Sequence, residues 1–426
     1  MGALGGGSLK LFGRRAFIRM ASGATLSFLL PYPAIGARTD RSSGRSRSLL
    51  TIWLEGGPSQ LESWDPHPGM LGLPRDFAIK TRTPELLISR FYPQTADVID
   101  SLTLIRSLVS REGDHERASY YLKTGYRMDP TLIHPALGAR LAHEIPDLNL
   151  EIPPFISIGE WIWPARGGFL GARYDAFRVV DSRHGLDNVT SRATSDRQSR
   201  RLENLQIVEK AFSRRHHFAE SVTLHEANTQ DALTLMSSEQ LSAFQVDAEP
   251  AAIRNSFGPG EFGTGCLLAL RLVTAGVRAV EVTLSGFDSH VNNLETQKGL
   301  AGTLDPALAS LMTELRARDL YDSVVVLVIG EFGRTPQVNA LEGRDHWPHG
   351  FSCLVGGGGI QEGLVIGSTD PAGESREPED PIRVNDLHAT LLTRFGLDSH
   401  QESMTDVGRP MAFSDGTPID RLLKLR

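Results

Sequence analysis

Carboxylate and imidazole side chains follow two predicted strands in the C-terminal half of this 426-residue chain. Asp288 and His290 follow the strand predicted at 277–284, and Asp345 and His346 lie in the loop after the apolar run 324–329. Nitrogen and oxygen atoms of these side chains are common ligands of divalent cations. Because ligands of open α/β sheets bind outside the carboxyl ends of parallel strands, we expect the four residues to meet at one rim. They predict a metal or phosphate-type site, in which zinc, calcium, magnesium and manganese are all open.

Two more charged residues, Glu331 and Arg334, directly follow the run 324–329. Glu331 is a candidate metal ligand or general base. Arg334 is a candidate clamp for an anionic substrate group, because a guanidinium presents parallel N–H donors to a carboxylate or phosphate. The structural alternative is an internal salt bridge that fixes this loop.

The candidate nucleophiles are His115 and Ser59. His115 stands in the first turn of a predicted helix, where it is a candidate nucleophile, metal ligand or hydrogen-bond donor, and Asp114 before it is a candidate N-cap. Ser59 follows a Gly-Gly-Pro turn after the first predicted strand. The sequence does not decide between these two residues.

Alternating strands and helices predict an α/β fold with a mostly parallel sheet and helices on both faces. The β-branched run 324–329 has the continuous apolar character of a strand buried on both faces. The other strands are predicted at 49–54, 102–105, 155–158, 277–284 and 352–355. Helices are predicted at 95–101, 115–123, 135–144, 261–275, 304–318 and 385–395.

The N-terminal residues 1–37 have the pattern of a twin-arginine signal peptide. Arg14 and Arg15 precede a short apolar stretch at 20–30 and a small-residue segment ending at Ala37. We therefore expect export of a folded protein to the periplasm or the exterior. Residues 38–48 are a predicted linker, and residues 49–426 a single domain with a polar helical insertion at about 181–250 that forms a cap.

Composition excludes some classes of function. The formal charge of −7 gives no support to nucleic-acid binding, and no mature segment is long and apolar enough to span a membrane. Cys266 and Cys353 lie in apolar elements, so we expect small buried hydrophobic residues, with a single disulfide as the open alternative.

Taken in order, the motifs resemble a known family over residues 50–396. The chain is similar to the exported bacterial proteins of domain-of-unknown-function family 1501, placed in the alkaline phosphatase/sulfatase superfamily. The matching stretches are Gly56–Gln60, Trp64–Pro66, His115 with Thr124-Gly125, His134–Gly138, Phe257-Gly258 with Phe262-Gly263, Leu272–Val277, Asp288–His290, Glu331–Pro336 and Gly343–Trp347.

The resemblance implies an alkaline-phosphatase-like fold and hydrolysis of phosphate or sulfate esters at one or two divalent cations. Asp288, His290 and His346 are similar in type and place to the superfamily's metal ligands. His115 stands where a Ser, Thr or Cys nucleophile starts the corresponding helix in that superfamily. Glu331 begins Glu-Phe-Gly where sulfatase-like enzymes have Asp-His-Gly.

Two functions remain as hypotheses. The first is an exported, metal-dependent hydrolase of a phosphate or sulfate ester of a small molecule or polysaccharide. In it, Asp288, His290 and His346 bind the cation with help from Glu331 or Asp345. Arg334 holds the anion, and His115 serves as nucleophile or general acid. The second is a non-catalytic binding or assembly protein on a degenerate alkaline-phosphatase-like scaffold.

Overall fold

The computed structural model describes residues 47–160, 162–186, 188–215 and 219–424. The predicted signal peptide and most of the predicted linker therefore lie outside the described residues. The strands are β1 (Ser48–Glu55), β2 (Ala78–Lys80), β3 (Leu87–Ser89), β4 (Leu102–Val109), β5 (Phe155–Ile158), β6 (Phe177–Val179), β7 (Ala279–Ser285), β8 (Val324–Ile329), β9 (Gly333–Arg334), β10 (His346–Trp347), β11 (Phe351–Gly357), β12 (Val365–Ile366), β13 (Ile382–Arg383), β14 (Glu402–Met404) and β15 (Pro410–Ala412). The α-helices are α1 (Pro93–Ala96), α2 (His115–Thr124), α3 (Leu137–Glu144), α4 (Ser195–Arg215), α5 (Ala219–Ser237), α6 (Ala251–Ser256), α7 (Glu261–Ala275), α8 (Asn293–Ala317) and α9 (Val384–Arg394).

Within the described residues, nine strands form a central sheet in the order β12-β4-β11-β8-β1-β7-β5-β6, with β13 also paired to β4. The pairs are parallel except those of β11, which runs antiparallel between β8 and β4. The prediction of an α/β fold with a mostly parallel sheet is confirmed. The carboxyl ends of β1, β4, β7 and β8 and the start of β11 consequently share one edge, which is where the predicted site residues lie.

Helices cover both faces of this sheet, as the sequence predicts. In β1, Leu50, Ile52 and Leu54 pack into a buried cluster with α7 and α8. The alternate residues Leu49 and Trp53 pack on the other side with α2, α3 and α9. This alternation follows from the two-residue period of a strand, and both sets are removed from water.

The predicted insertion at 181–250 contains α4 and α5 and then a 3₁₀ segment at Glu239–Phe244. Phe244 is buried in the same cluster as α7. Arg271 of α7 donates to the carbonyl oxygens of Ser242 and Ala243 at 2.7 and 3.0 Å and to the Glu249 carboxylate at 2.6 Å. The end of the insertion is therefore fixed to the core by both apolar and charged contacts.

Two helix predictions differ from the structure. Helix α8 begins at Asn293, well before the predicted residue 304, and continues through Pro306. Glycines at 299 and 302 and this proline weaken the local helical signal, and burial of the helix against α7 outweighs it. The helix predicted at 95–101 is split into α1 and a 3₁₀ turn at Ile99–Ser101.

The two cysteines are free and buried on opposite faces of the sheet, Cys266 in α7 and Cys353 in β11. The disulfide alternative is therefore excluded. Among the described residues, no helix has the length and apolarity that a bilayer crossing requires.

Helix α2 is fixed at both ends, and this determines where His115 lies. At its start the Asp114 carboxylate accepts from the backbone N–H of Arg117 at 3.1 Å, as an N-cap does. At its end Gly125 adopts φ 76°, and a Cβ there would lie 2.9 Å from the His388 ring. His388 Nε2 donates to the Leu122 carbonyl oxygen at 2.8 Å.

His388 gives a pH dependence to stability, because burial lowers the pKa of its imidazole to about 4. Below the ordinary value of 6.5, the unfolded chain binds a proton that the folded chain excludes. The free energy of unfolding should therefore fall as pH drops from 6.5, by on the order of 3 kcal/mol in total, and level off below the folded pKa. His388→Gln, which keeps a donor but does not titrate, should lose this part of the pH dependence in urea unfolding.

The control is His400→Gln, because His400 is exposed. It should keep the wild-type pH dependence. An unchanged pH profile in His388→Gln would contradict the assignment.

Candidate metal centre

Three histidines and an aspartate from different elements meet at the carboxyl edge of the sheet. Asp288 and His290 follow β7, His346 begins β10, and His115 begins α2. His290 Nε2 lies 3.0 Å from His346 Nε2 and 3.1 Å from Asp288 Oδ1. Asp288 Oδ1 is 3.3 Å from His346 Nε2, and its Oδ2 is 3.4 Å from His115 Nε2. The ligand atoms of His115, Asp288 and His346 lie within 4.8 Å of one another.

The other ring nitrogen of each histidine faces an oxygen acceptor outside this cluster. These Nδ1 contacts are His115 to Glu331 Oε1 at 2.7 Å, His290 to Asp345 Oδ1 at 2.8 Å, and His346 to the Gly113 carbonyl oxygen at 2.8 Å. Carboxylate and carbonyl oxygens can only accept, so each Nδ1 carries the proton and each neutral ring directs its Nε2 lone pair inward. Histidines that bind metals are oriented in this way.

The inward-facing atoms require a positive charge between them. Two imidazole lone pairs 3.0 Å apart, on His290 and His346, repel each other unless a proton or a cation lies between them. His115 Nε2 is buried and has no hydrogen-bond partner. Since buried polar atoms are rarely left unpaired, this orphaned nitrogen of His115 fits a bound metal ion.

The charges around the cluster shift its pKa values. Burial opposes ionisation of Asp288, but the Arg334 guanidinium outweighs it and holds the pKa of this carboxyl below its ordinary value. Burial likewise opposes protonation of His115, yet the Glu331 hydrogen bond and the nearby carboxylates raise its pKa. Burial lowers the pKa of His346. Asp288 is thus held ionised, and His346 is held neutral, as ligands of a metal must be.

Arg334 lies beneath the cluster and does not face its open side. Its side chain is fully buried, and Nε donates to the Gly57 carbonyl oxygen at 2.8 Å. Nη1 donates to the Arg344 carbonyl oxygen at 3.2 Å, and Nη2 donates to Asp288 Oδ1 at 2.7 Å and to the Gly56 carbonyl oxygen. These donors are already bound to the protein in this arrangement, and the role of Arg334 as an anion clamp stays a prediction. Arg334 positions Asp288.

Glu331 and Asp345 stand outside the cluster of ligand atoms. The Glu331 side chain is fully buried, and its Oε1 accepts from His115 and, at 2.9 Å, from the Gly56 N–H. Asp345 is exposed and pairs with the Nδ1 atom of His290. Both carboxylates orient histidines in the described arrangement. The sequence leaves Asp345 open as a ligand or as an orienting group, and Glu331 as a metal ligand or general base.

Ser59 is not part of the cluster. It is fully buried, its hydroxyl donates to the Glu62 carboxylate, and its N–H donates to Gln297 Oε1 at 3.3 Å. Glu62 in turn pairs with Arg344 at 2.9 Å. Ser59, one of the two candidate nucleophiles, therefore lies in a buried polar network.

Two glycines permit the close approach of the loops, and sequence reasoning did not identify this role. Gly56 has φ 109°, and a Cβ there would lie 2.5 Å from the backbone nitrogen of Asp288. At Gly343 a Cβ would lie 1.8 Å from the His290 carbonyl oxygen. Both glycines stand in motifs that also contain candidate site residues, and this proximity could have indicated their role from the sequence.

A search of curated protein sequences found no match. Similar solved structures include the PsFucS1 sulfatase from Pseudoalteromonas sp., at 11% identity, 90% coverage of this chain, 74% of that chain and a TM-score of 0.42. The lipoteichoic acid synthase LtaP from Listeria monocytogenes is 10% identical, with 89% of this chain and 76% of that chain covered and a TM-score of 0.39. The alkaline phosphatase from the Antarctic bacterium TAB5 is 12% identical, with 83% of this chain and 99% of that chain covered and a TM-score of 0.39. A family model described as protein of unknown function (DUF1501) matches residues 46–423, and the chain belongs to that family.

Proposed function

We propose that this protein is a metal-dependent hydrolase of phosphate or sulfate esters. The observation that carries the proposal is the convergence of three imidazole Nε2 atoms and one carboxylate, with each outer Nδ1 atom held by an oxygen acceptor. His115, Asp288, His290 and His346 would hold the ion. A bound divalent cation would polarise the ester oxygen and lower the pKa of a bound water.

The donor set favours zinc over calcium and magnesium. Three imidazole nitrogens and one carboxylate suit Zn²⁺, with Mn²⁺ as the weaker alternative, whereas Ca²⁺ and Mg²⁺ prefer all-oxygen sites. Of the four metals that the sequence leaves open, we therefore expect zinc.

His115 would serve as a ligand in this proposal. Its Nδ1 atom is occupied by Glu331, so only Nε2 is left for chemistry, and that atom faces Asp288 at 3.4 Å. A nitrogen bound to a metal has no lone pair for nucleophilic attack. We therefore assign the attack to water rather than to His115 or Ser59.

The second candidate function is binding without catalysis. In the described residues, the cluster includes no hydroxyl or thiol side chain, and Ser59, the predicted alternative nucleophile, is buried in another network. A metal site that only positions a ligand would use the same ligands. Turnover of an ester by the metal-loaded protein separates the two functions.

Export by the twin-arginine route belongs to the same proposal. The signal is in residues 1–37, with Arg14 and Arg15 before an apolar stretch. This route carries folded proteins, so metal could be bound before export. The ester substrate would then be encountered in the periplasm or outside the cell.

The proposed site predicts bound metal. Protein purified without chelator and without an affinity nickel column should contain about one equivalent of zinc per chain by elemental mass spectrometry. His290→Ala/His346→Ala should lose it, because two inward nitrogens are removed. The variant His400→Ala, which changes an exposed histidine elsewhere, should retain the metal. Folded wild-type protein that binds no metal when zinc or manganese is added would refute the site.

The second prediction isolates the role of Glu331. Glu331→Gln keeps the size of the side chain but removes the negative charge that holds the Nδ1 proton of His115. Metal affinity, measured by competition with a chromophoric chelator, should fall about 10- to 100-fold. Glu295→Gln, at an exposed helix position, should leave affinity unchanged. Equal affinities in all three proteins would show that Glu331 does not orient a ligand.

The third prediction concerns turnover. Zinc-loaded protein should release 4-nitrophenol from 4-nitrophenyl phosphate or 4-nitrophenyl sulfate, and Asp288→Asn should abolish the release. Ser59→Ala should remain active if it folds, since Ser59 lies outside the cluster. A metal-loaded protein that binds inorganic phosphate or sulfate but hydrolyses neither ester would favour the binding function instead.

A further inference from the structure

A cavity of about 480 Å³ lies beside the metal cluster and is not used by the site described above. One wall is a face of helix α2 formed by Glu116, Ser119, Tyr120 and Lys123, whose spacing of three and four residues places them on one side of the helix. His115, which begins the same helix, belongs to the metal cluster. The rise of an α-helix separates His115 from Ser119 by about 6 Å along the axis.

The remaining wall is mainly apolar. Leu132, Ile133, Trp163 and Pro164 line it, and Ile133 is 52% exposed, so the cavity reaches the surface there. The volume is within the range of small-molecule sites, which are typically apolar with a few fixed polar groups. Asp129 and Arg166 also line the cavity, and its apolar part suits a ring system better than a densely hydroxylated group.

Two polar side chains of helix α2 along the cavity, Tyr120 and Lys123, are paired within the protein. The Tyr120 hydroxyl donates to His134 Nδ1 at 2.8 Å and accepts from the His134 N–H at 2.7 Å. Lys123 Nζ donates to Glu281 at 2.7 Å and to the Trp163 carbonyl oxygen at 2.9 Å.

Ser119, by contrast, is fully buried and its hydroxyl has no hydrogen-bond partner. An unpaired buried hydroxyl destabilises the folded state. Its position in the cavity wall provides a reason for its presence, because a ligand in the cavity could pair with it.

We propose that this cavity binds the alcohol portion of the ester substrate, and that this portion is an aromatic or alicyclic ring bearing one polar atom that pairs with Ser119. The assignment as a substrate site rests on the proposed function. The ring would lie against Trp163 and Leu132, while the ester group would reach the cluster at the start of α2.

Direct binding of a neutral probe tests the cavity without requiring hydrolysis. We would titrate the full chain with 2-naphthol by calorimetry and expect one site per chain with a dissociation constant on the order of 0.1–1 mM. Ser119→Ala should weaken binding about 5- to 10-fold, as loss of one hydrogen bond does. The unfolding temperature of Ser119→Ala should equal that of the wild type, because the hydroxyl has no partner in the protein. A lower unfolding temperature would indicate a structural role for Ser119.

Matched surface variants check the location. Ile133→Asp places a charge at the exposed mouth and should weaken binding of the neutral probe at least about 10-fold, since a carboxylate resists transfer to apolar surroundings. Leu148→Asp changes a side chain that is 96% exposed and should have no effect. Binding that neither Ser119→Ala nor Ile133→Asp weakens, or no binding at all, would overturn the proposal. Stronger binding of the densely hydroxylated disaccharide cellobiose than of 2-naphthol would also overturn the proposal.

The metal variant separates this inference from the proposed function. His290→Ala/His346→Ala should still bind 2-naphthol with wild-type affinity, since neither histidine lines the cavity. Retained binding with no ester hydrolysis in the wild type would support the cavity and contradict the hydrolase. Loss of 2-naphthol binding in this folded variant would overturn the cavity as an independent site.

Discussion

The geometry of the rim depends on the hydrogen bonds that the buried guanidinium of Arg334 donates. This guanidinium joins the carbonyl oxygens of the loop after β1 to Asp288 after β7 and to the segment before β10. An arginine removed from water is tolerated only when its donors are paired, so these loops can adopt few other arrangements. Register adds a second constraint, because His346 lies opposite Arg334 in the β9–β10 ladder. Arg334 thus places a carboxylate of the cluster through its side chain and an imidazole through its backbone pairing.

The charge around that cation explains why a metal fits. The carboxylates of Asp288, Glu331 and Asp345 surround the site, whereas Arg334 is the compensating cation among the described contacts. With neutral imidazoles, three carboxylates against one guanidinium leave an excess of two negative charges, and a divalent cation balances it. A salt-bridge network alone would need protonated histidines instead. The carboxylates around His115 raise its pKa and favour protonation there, whereas burial lowers the pKa of His346 and opposes it.

The sequence was sufficient for the fold class and for the types of residue at the rim, but not for their roles. Asp288, His290 and His346 follow or precede apolar strands, so sheet topology alone brings them to one edge. Whether a carboxylate binds a metal or a ring nitrogen depends on a few ångströms of tertiary placement, which local patterns do not contain. Glu331 and Ser59 show this: the sequence makes both candidates for direct chemistry, and packing buries both completely.

Exposure distinguishes the kind of metal site that this arrangement can support. The supporting groups Glu331 and Arg334 are fully buried, whereas the side chains of Asp288 and His290 are 45% and 43% exposed. Structural zinc sites are enclosed by their ligands, while catalytic sites keep a position open to water or substrate. In the proposed metal centre, a buried frame beneath exposed Asp288 and His290 would leave a position open to water or substrate. Helix α2 connects this frame to the cavity described above, because it contributes His115 to the cluster and Ser119 to the cavity wall.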